Sequence, residues 1–69
     1  MAYTQDDLAM ARRHVAEGEE RVLRQRQLVG RLEERGEPTG AGLDLLEEFE
    51  ATLEQMRVHL AVMEEEIGA

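Results

Sequence analysis

The sequence predicts an all-α fold: an antiparallel two-helix hairpin of coiled-coil type that dimerises into a four-helix bundle. Three observations in the 69-residue chain carry this expectation. Apolar residues recur at seven-residue spacing in two segments of about thirty residues, the signature of helices that share a seam. Between these segments lies a single break, Gly36-Glu37-Pro38-Thr39-Gly40-Ala41-Gly42, holding the only proline and three of the six glycines. More large apolar side chains are present than one seam can cover.

The first helix is expected over residues 4–35. Thr4 with Asp7 three residues on fits a capping box, in which each side chain accepts a hydrogen bond from the other's backbone N–H. Asp6 and Asp7 also suit the positive end of the helix dipole. Leu8, Val15, Val22 and Val29 form one seam row. Its companion row, Ala11, Gly18, Gln25 and Leu32, is weaker, small at two sites and polar at Gln25. Gln25 reads either as a register-setting polar site or as an exposed position. Gly18 and Gly30 each cost a helix about 1 kcal/mol relative to Ala, which suggests close approach of another helix.

Residues 36–42 are expected as the turn, since glycine closes helix C-termini and proline cannot continue a helix. Thr39 is the candidate N-cap of the second helix through its hydroxyl, with Gly40 and Gly42 making a ragged first turn and regular helix over 43–67. There Leu46, Leu53, Leu60 and Ile67 form one row, and Phe49, Met56 and Met63 the other. Met56 and Met63 read as core by their spacing. Glu64, Glu65 and Glu66 fall in the last turn, where acids oppose the dipole, so that end should fray or be held by something positive.

A break at Glu37 and Pro38 folds the helices antiparallel, setting Val29 beside Leu46, Val22 beside Leu53, Val15 beside Leu60 and Leu8 beside Ile67. The same folding brings Arg21, Arg24, Arg26 and Arg31 near Asp44, Glu47, Glu48, Glu50 and Glu54. Off the seam lie Leu23, Leu28, Leu43, Leu45, Val58 and Val62, each forgoing about 1.5–3 kcal/mol if left in water. Of these, Leu23, Leu28, Leu45, Val58 and Val62 are the candidate interface. The row Ala9, Ala16, Leu23 and Gly30, mostly small, would let a further backbone come close. Small domains commonly bury such surplus by oligomerising, here as a twofold dimer.

Charge narrows the functional classes. Sixteen acids against eight bases give a formal charge of -8 and a pI near 4.6. Residues 1–35 carry seven Arg and seven acids; residues 36–69 carry nine acids and only Arg57. Such a polyanion disfavours binding to nucleic acid or an anionic membrane surface. The acidic open end of the hairpin (Asp6, Asp7, Glu64, Glu65, Glu66) suits either a basic protein partner or the Arg-rich loop half of a second copy. The latter predicts hairpins packed end over end. No apolar run approaches the ~20 residues of a membrane span, the N-terminus reads without signal-peptide features, and there is no cysteine; a cytoplasmic protein is expected.

Sites for chemistry are few. His14 and His59 should stand at similar heights, with Glu17 one turn from His14 and Met63 one turn from His59. This makes His14, Glu17 and His59 the candidate metal ligands. Di-iron bundles place Glu three residues before each His, whereas Ala11 and Met56 stand there, so that motif is absent. The bland alternative is two half-exposed histidines flanking the seam. With no Ser or Cys, and Gly40-Ala41-Gly42 lacking the Lys and hydroxyl of a phosphate loop, neither catalysis nor a cofactor is expected.

The stretch from Arg13-His14-Val15-Ala16-Glu17-Gly18-Glu19 through Leu32-Glu33, then Gly36 with Pro38-Thr39, and Leu45-Leu46-Glu47-Glu48-Phe49-Glu50 resembles a group of short bacterial helical-hairpin proteins of unknown function. The resemblance covers most of the chain. It implies a helical hairpin and a bacterial origin, and carries over no ligand or functional residue. By shape alone the hairpin is also similar to the small dimer that binds RNA in plasmid copy control, from which its acidic second helix departs. The functional expectation is a non-enzymatic interaction or assembly protein acting as a homodimer or by docking a partner, with a metal-binding bundle as the alternative.

Overall fold

The computed structural model describes residues 3–68, and two helices account for nearly all of them: α1, Gln5–Glu34, and α2, Gly40–Gly68. They pack antiparallel as a rod with extents of 51 × 14 × 12 Å. No strand occurs among the described residues.

Each end of α1 is closed as its sequence dictates. The Thr4 hydroxyl accepts from the Asp7 backbone N–H at 3.0 Å, and the Asp7 carboxylate accepts from the Thr4 N–H at 3.0 Å, a complete capping box. At the other end Gly36 takes φ +68°, its N–H donating to Glu33 O at 3.0 Å while Glu37 N–H donates to Leu32 O at 2.9 Å. These are the two bonds of a Schellman motif, which needs a left-handed residue at that position. Because a side chain there costs about 1–2 kcal/mol, Gly36→Ala should lower stability by that amount in denaturant melts.

The second helix starts where an N-cap at Thr39 places it, but its first turn is regular helix and not ragged. It begins at Gly40, not Leu43, leaving only residues 35–39 between the helices. Leu43 N–H donates to the Thr39 carbonyl at 2.8 Å, so Thr39 holds the N-cap backbone position. No hydroxyl cap from Thr39 is found among the side-chain hydrogen bonds of the described residues. Thr39 lies one heptad before Leu46 and is half-buried, its side chain on the seam side. Gly40 and Gly42 are helical despite poor propensity because tertiary packing outweighs it. A Cβ on Gly42 would stand 3.2 Å from Val29 Cγ2 and 3.6 Å from Leu32 Cδ1, so the bare backbone is what α1 packs against.

The seam follows the two heptad rows of each helix. Leu8, Val22, Val29, Leu53 and Met63 are buried; Val15, Leu32, Leu46, Phe49, Met56, Leu60 and Ile67 are half-buried. The weaker row of α1 is as much a part of it. Gly18 is buried, and a Cβ there would lie 3.1 Å from Leu53 Cδ1 and 3.4 Å from Met56 Sδ. Gln25 is buried too, its Nε2 donating to the Gly42 carbonyl at 3.0 Å, which resolves its two readings in favour of a seam position. Among the described residues no side chain of this single strip falls below 2% exposure.

Candidate functional site

The two flanks of the seam differ in chemistry, and the heptad shows how. With Leu8 and Leu46 heading the a rows, and Ala11 and Phe49 the d rows, an antiparallel pair sets e positions against e on one flank. The g positions meet on the other, with c positions just outside them. Among the described residues the three interhelical ion pairs all join e positions: Arg12–Glu64 at 3.2 Å, Arg57–Glu19 at 3.1 Å and Arg26–Glu50 at 3.2 Å. Each is exposed and worth about 0–1 kcal/mol, so together they fix register more than they stabilise. Arg12 also supplies the positive charge expected to hold the acidic end of α2.

The Arg–acid pairing expected near the loop is only partly formed. Arg26 reaches Glu50, but Arg24 turns to Glu20 in its own helix at 2.6 Å, the i,i+4 neighbour being nearer than the facing helix. Arg21 lies over the Phe49 ring with its guanidinium carbon 5.6 Å from the centroid, a cation–π placement on the g flank. Arg31 joins no ion pair among the described residues.

On the e flank, Val22 and Leu53 floor a shallow groove of about 310 Å³ walled by Leu23, Glu54 and the Arg26–Glu50 and Arg57–Glu19 pairs. The pairs bridge its polar walls, so the groove offers little free charge to a ligand. The g flank has no interhelical ion pair among the described residues. By register Leu28 and Leu45 fall at one level near the loop on this flank, and Met10 and Val62 at one level near the open end.

Every candidate interface residue is exposed: Leu23 54%, Leu28 39%, Leu45 39%, Val58 56% and Val62 43%. Leu43 is exposed as well, and so is Met10, which sequence reasoning missed because it stands alone in its row of α1. The heptad separates this set. Leu28, Leu45, Val62 and Met10 share the g flank, Leu23 and Leu43 lie on the e flank, and Val58 points away from α1 altogether. Among the described residues nothing lies within 4 Å of a Cβ built on Gly30, so no close approach by them explains it. Gly30→Ala should therefore raise stability by about 0.5–1 kcal/mol in the same melts.

The candidate metal ligands do not assemble. His14, Glu17 and His59 are all exposed, and among the described residues no three His, Asp or Glu side chains converge as a ligand set. The His59 ring instead meets Tyr3 edge-on, centroids 5.8 Å apart and planes at 83°. Tyr3 directly precedes the N-cap of α1, so this contact ties the helix entry to α2; a lone tyrosine before a capping box was its only sequence signal. Among the described residues no helix is long and apolar enough to cross a membrane. Comparison with protein-family models, curated proteins and solved structures returned no match.

Proposed function

We propose that this chain is a non-enzymatic interaction and assembly module that acts as a homodimer, two hairpins forming a four-helix bundle. Its acidic end is the complement of a basic protein partner. One observation carries the reading. The seam of the hairpin is closed along its length, yet among the described residues seven large apolar side chains remain 39–56% exposed outside it. Such surplus on so small a domain is typical of a surface that another helix pair covers.

Thermal melts followed by helicity at several chain concentrations test this. A dimer melts at higher temperature as concentration rises, because association stabilises only the folded state. A melting temperature independent of concentration would count against it. The metal-binding alternative predicts stabilisation by Zn²⁺ or Fe²⁺. With His14, Glu17 and His59 dispersed, either ion should shift the melting temperature by no more than about 1 °C.

A further inference from the structure

We infer that a second copy of this chain docks on the g flank, the face bearing Met10, Leu28, Leu45 and Val62, with the two hairpins end over end. The inference rests on the homodimer reading above and specifies its face and its orientation.

The two flanks differ in what covering them would cost. The e flank is bridged by three interhelical ion pairs. Covering them would strip water from six charges already paired, at a desolvation cost that exposed pairs do not repay. The g flank carries charged side chains as well, but among the described residues no interhelical ion pair bridges it, so a second copy can supply their partners. Its apolar side chains stand in two clusters, Met10 with Val62 and Leu28 with Leu45, all exposed. The clusters lie about 27 Å apart, eighteen residues at 1.5 Å each. A face spanning 51 × 14 Å offers about 700 Å² per chain, close to the ~800 Å² that a standard stable interface takes from each partner.

Orientation follows from what each cluster would meet. Turned end over end about a twofold axis across the middle of the face, α1 lies antiparallel on its own copy, and so does α2. Met10 then meets Leu28 of the second copy, and Val62 meets Leu45. The same rotation sets Glu17 against Arg21 and Asp7 against Arg31, each pair formed twice by the symmetry. With both loops at one end, α1 would lie on α2 of the other copy. The apolar clusters would still match and Arg24 would face Glu48, but Asp7 would face Glu66, and Glu17 and Arg21 would face only the neutral Gln55 and Thr52. Like charges across an interface are penalised and opposite charges fix register. The end-over-end arrangement wins on charge alone.

Because the chain has no cysteine, single thiols can be placed at will. Met10→Cys and Leu28→Cys chains are prepared separately, checked for helicity and for mass by light scattering, then mixed and treated with a short bis-maleimide crosslinker. Crosslinking in the mixture, and at least tenfold less in either variant alone, is the expected result. A dimer by mass with no crosslink in the mixture would overturn the face or orientation while leaving the homodimer reading intact. So would efficient crosslinking of Leu28→Cys with itself. A monomer by mass for both variants and the parent chain would overturn both. Leu45→Cys mixed with Val62→Cys repeats the test on α2, should one helical site tolerate the substitution poorly.

Discussion

Leu53→Ala should cost the fold about 2–4 kcal/mol, the range for truncating a buried leucine whose surroundings cannot close the gap. Leu53 is 5% exposed at mid-seam and fills the notch left by the missing side chain of Gly18. A glycine has no side chain to move into the vacated space, so most of the cavity should persist. A domain this small holds only about 0.05–0.15 kcal/mol of stability per residue. The loss is therefore a large share of the total, and should appear as a fall in melting temperature of about 10 °C or more. Val58→Ala, exposed on the outer face of α2, is the control and should change little. Equal effects from the two would mean that the seam does not hold the hairpin together.

The double variant Leu28→Glu, Leu45→Glu should weaken dimerisation by about a thousandfold or more. Two leucines from each chain leave the interface, and each contributes about 1 kcal/mol beyond its present half-burial. At 1.4 kcal/mol per decade in Kd, the apolar loss alone gives about three decades, before any cost of enclosing four carboxylates. Both sites are already 39% exposed, so the separated hairpin should keep its helicity. Leu23→Glu, on the flank of ion pairs, should leave the dimer intact. Sedimentation at matched concentrations distinguishes the two variants, and a reversal of their effects would move the interface to the other flank.

The period of seven made the seam rows legible, because burial of a stripe forces apolar residues to return every two turns. Both caps of α1 were legible for a local reason: Thr4, Asp7 and Gly36 satisfy backbone groups within a few residues of themselves. The regular first turn of α2 was not. Gly40 and Gly42 read as turn by propensity, and only the facing Val29 and Leu32, far away in sequence, explain a helix there. Gln25 has the same history. Its amide suits the seam because the Gly42 carbonyl is uncovered, and the two exceptions compensate each other across the interface. Charge partners were the least legible. A long Arg side chain reaches several acids of similar energy, and Arg24 took the one in its own helix.

The face inferred for docking was half legible. Leu28, Leu45 and Val62 stood out as surplus apolar residues, but seam spacing does not say which side of a hairpin they share. That came from the ion pairs, which fall on the opposite flank. Met10 joined the group only when its level beside Val62 was apparent, and the small-residue row ending in Gly30 lost its claim when it mapped to the ion-paired side.

The most direct test of the account is the mass of the unmodified chain in solution, measured by light scattering across concentrations with helicity recorded on the same samples. A helical species of twice the 7.9 kDa chain mass is the expected result. A fully helical species of 7.9 kDa at every concentration would contradict it, leaving the exposed leucines and valines without the partner proposed for them.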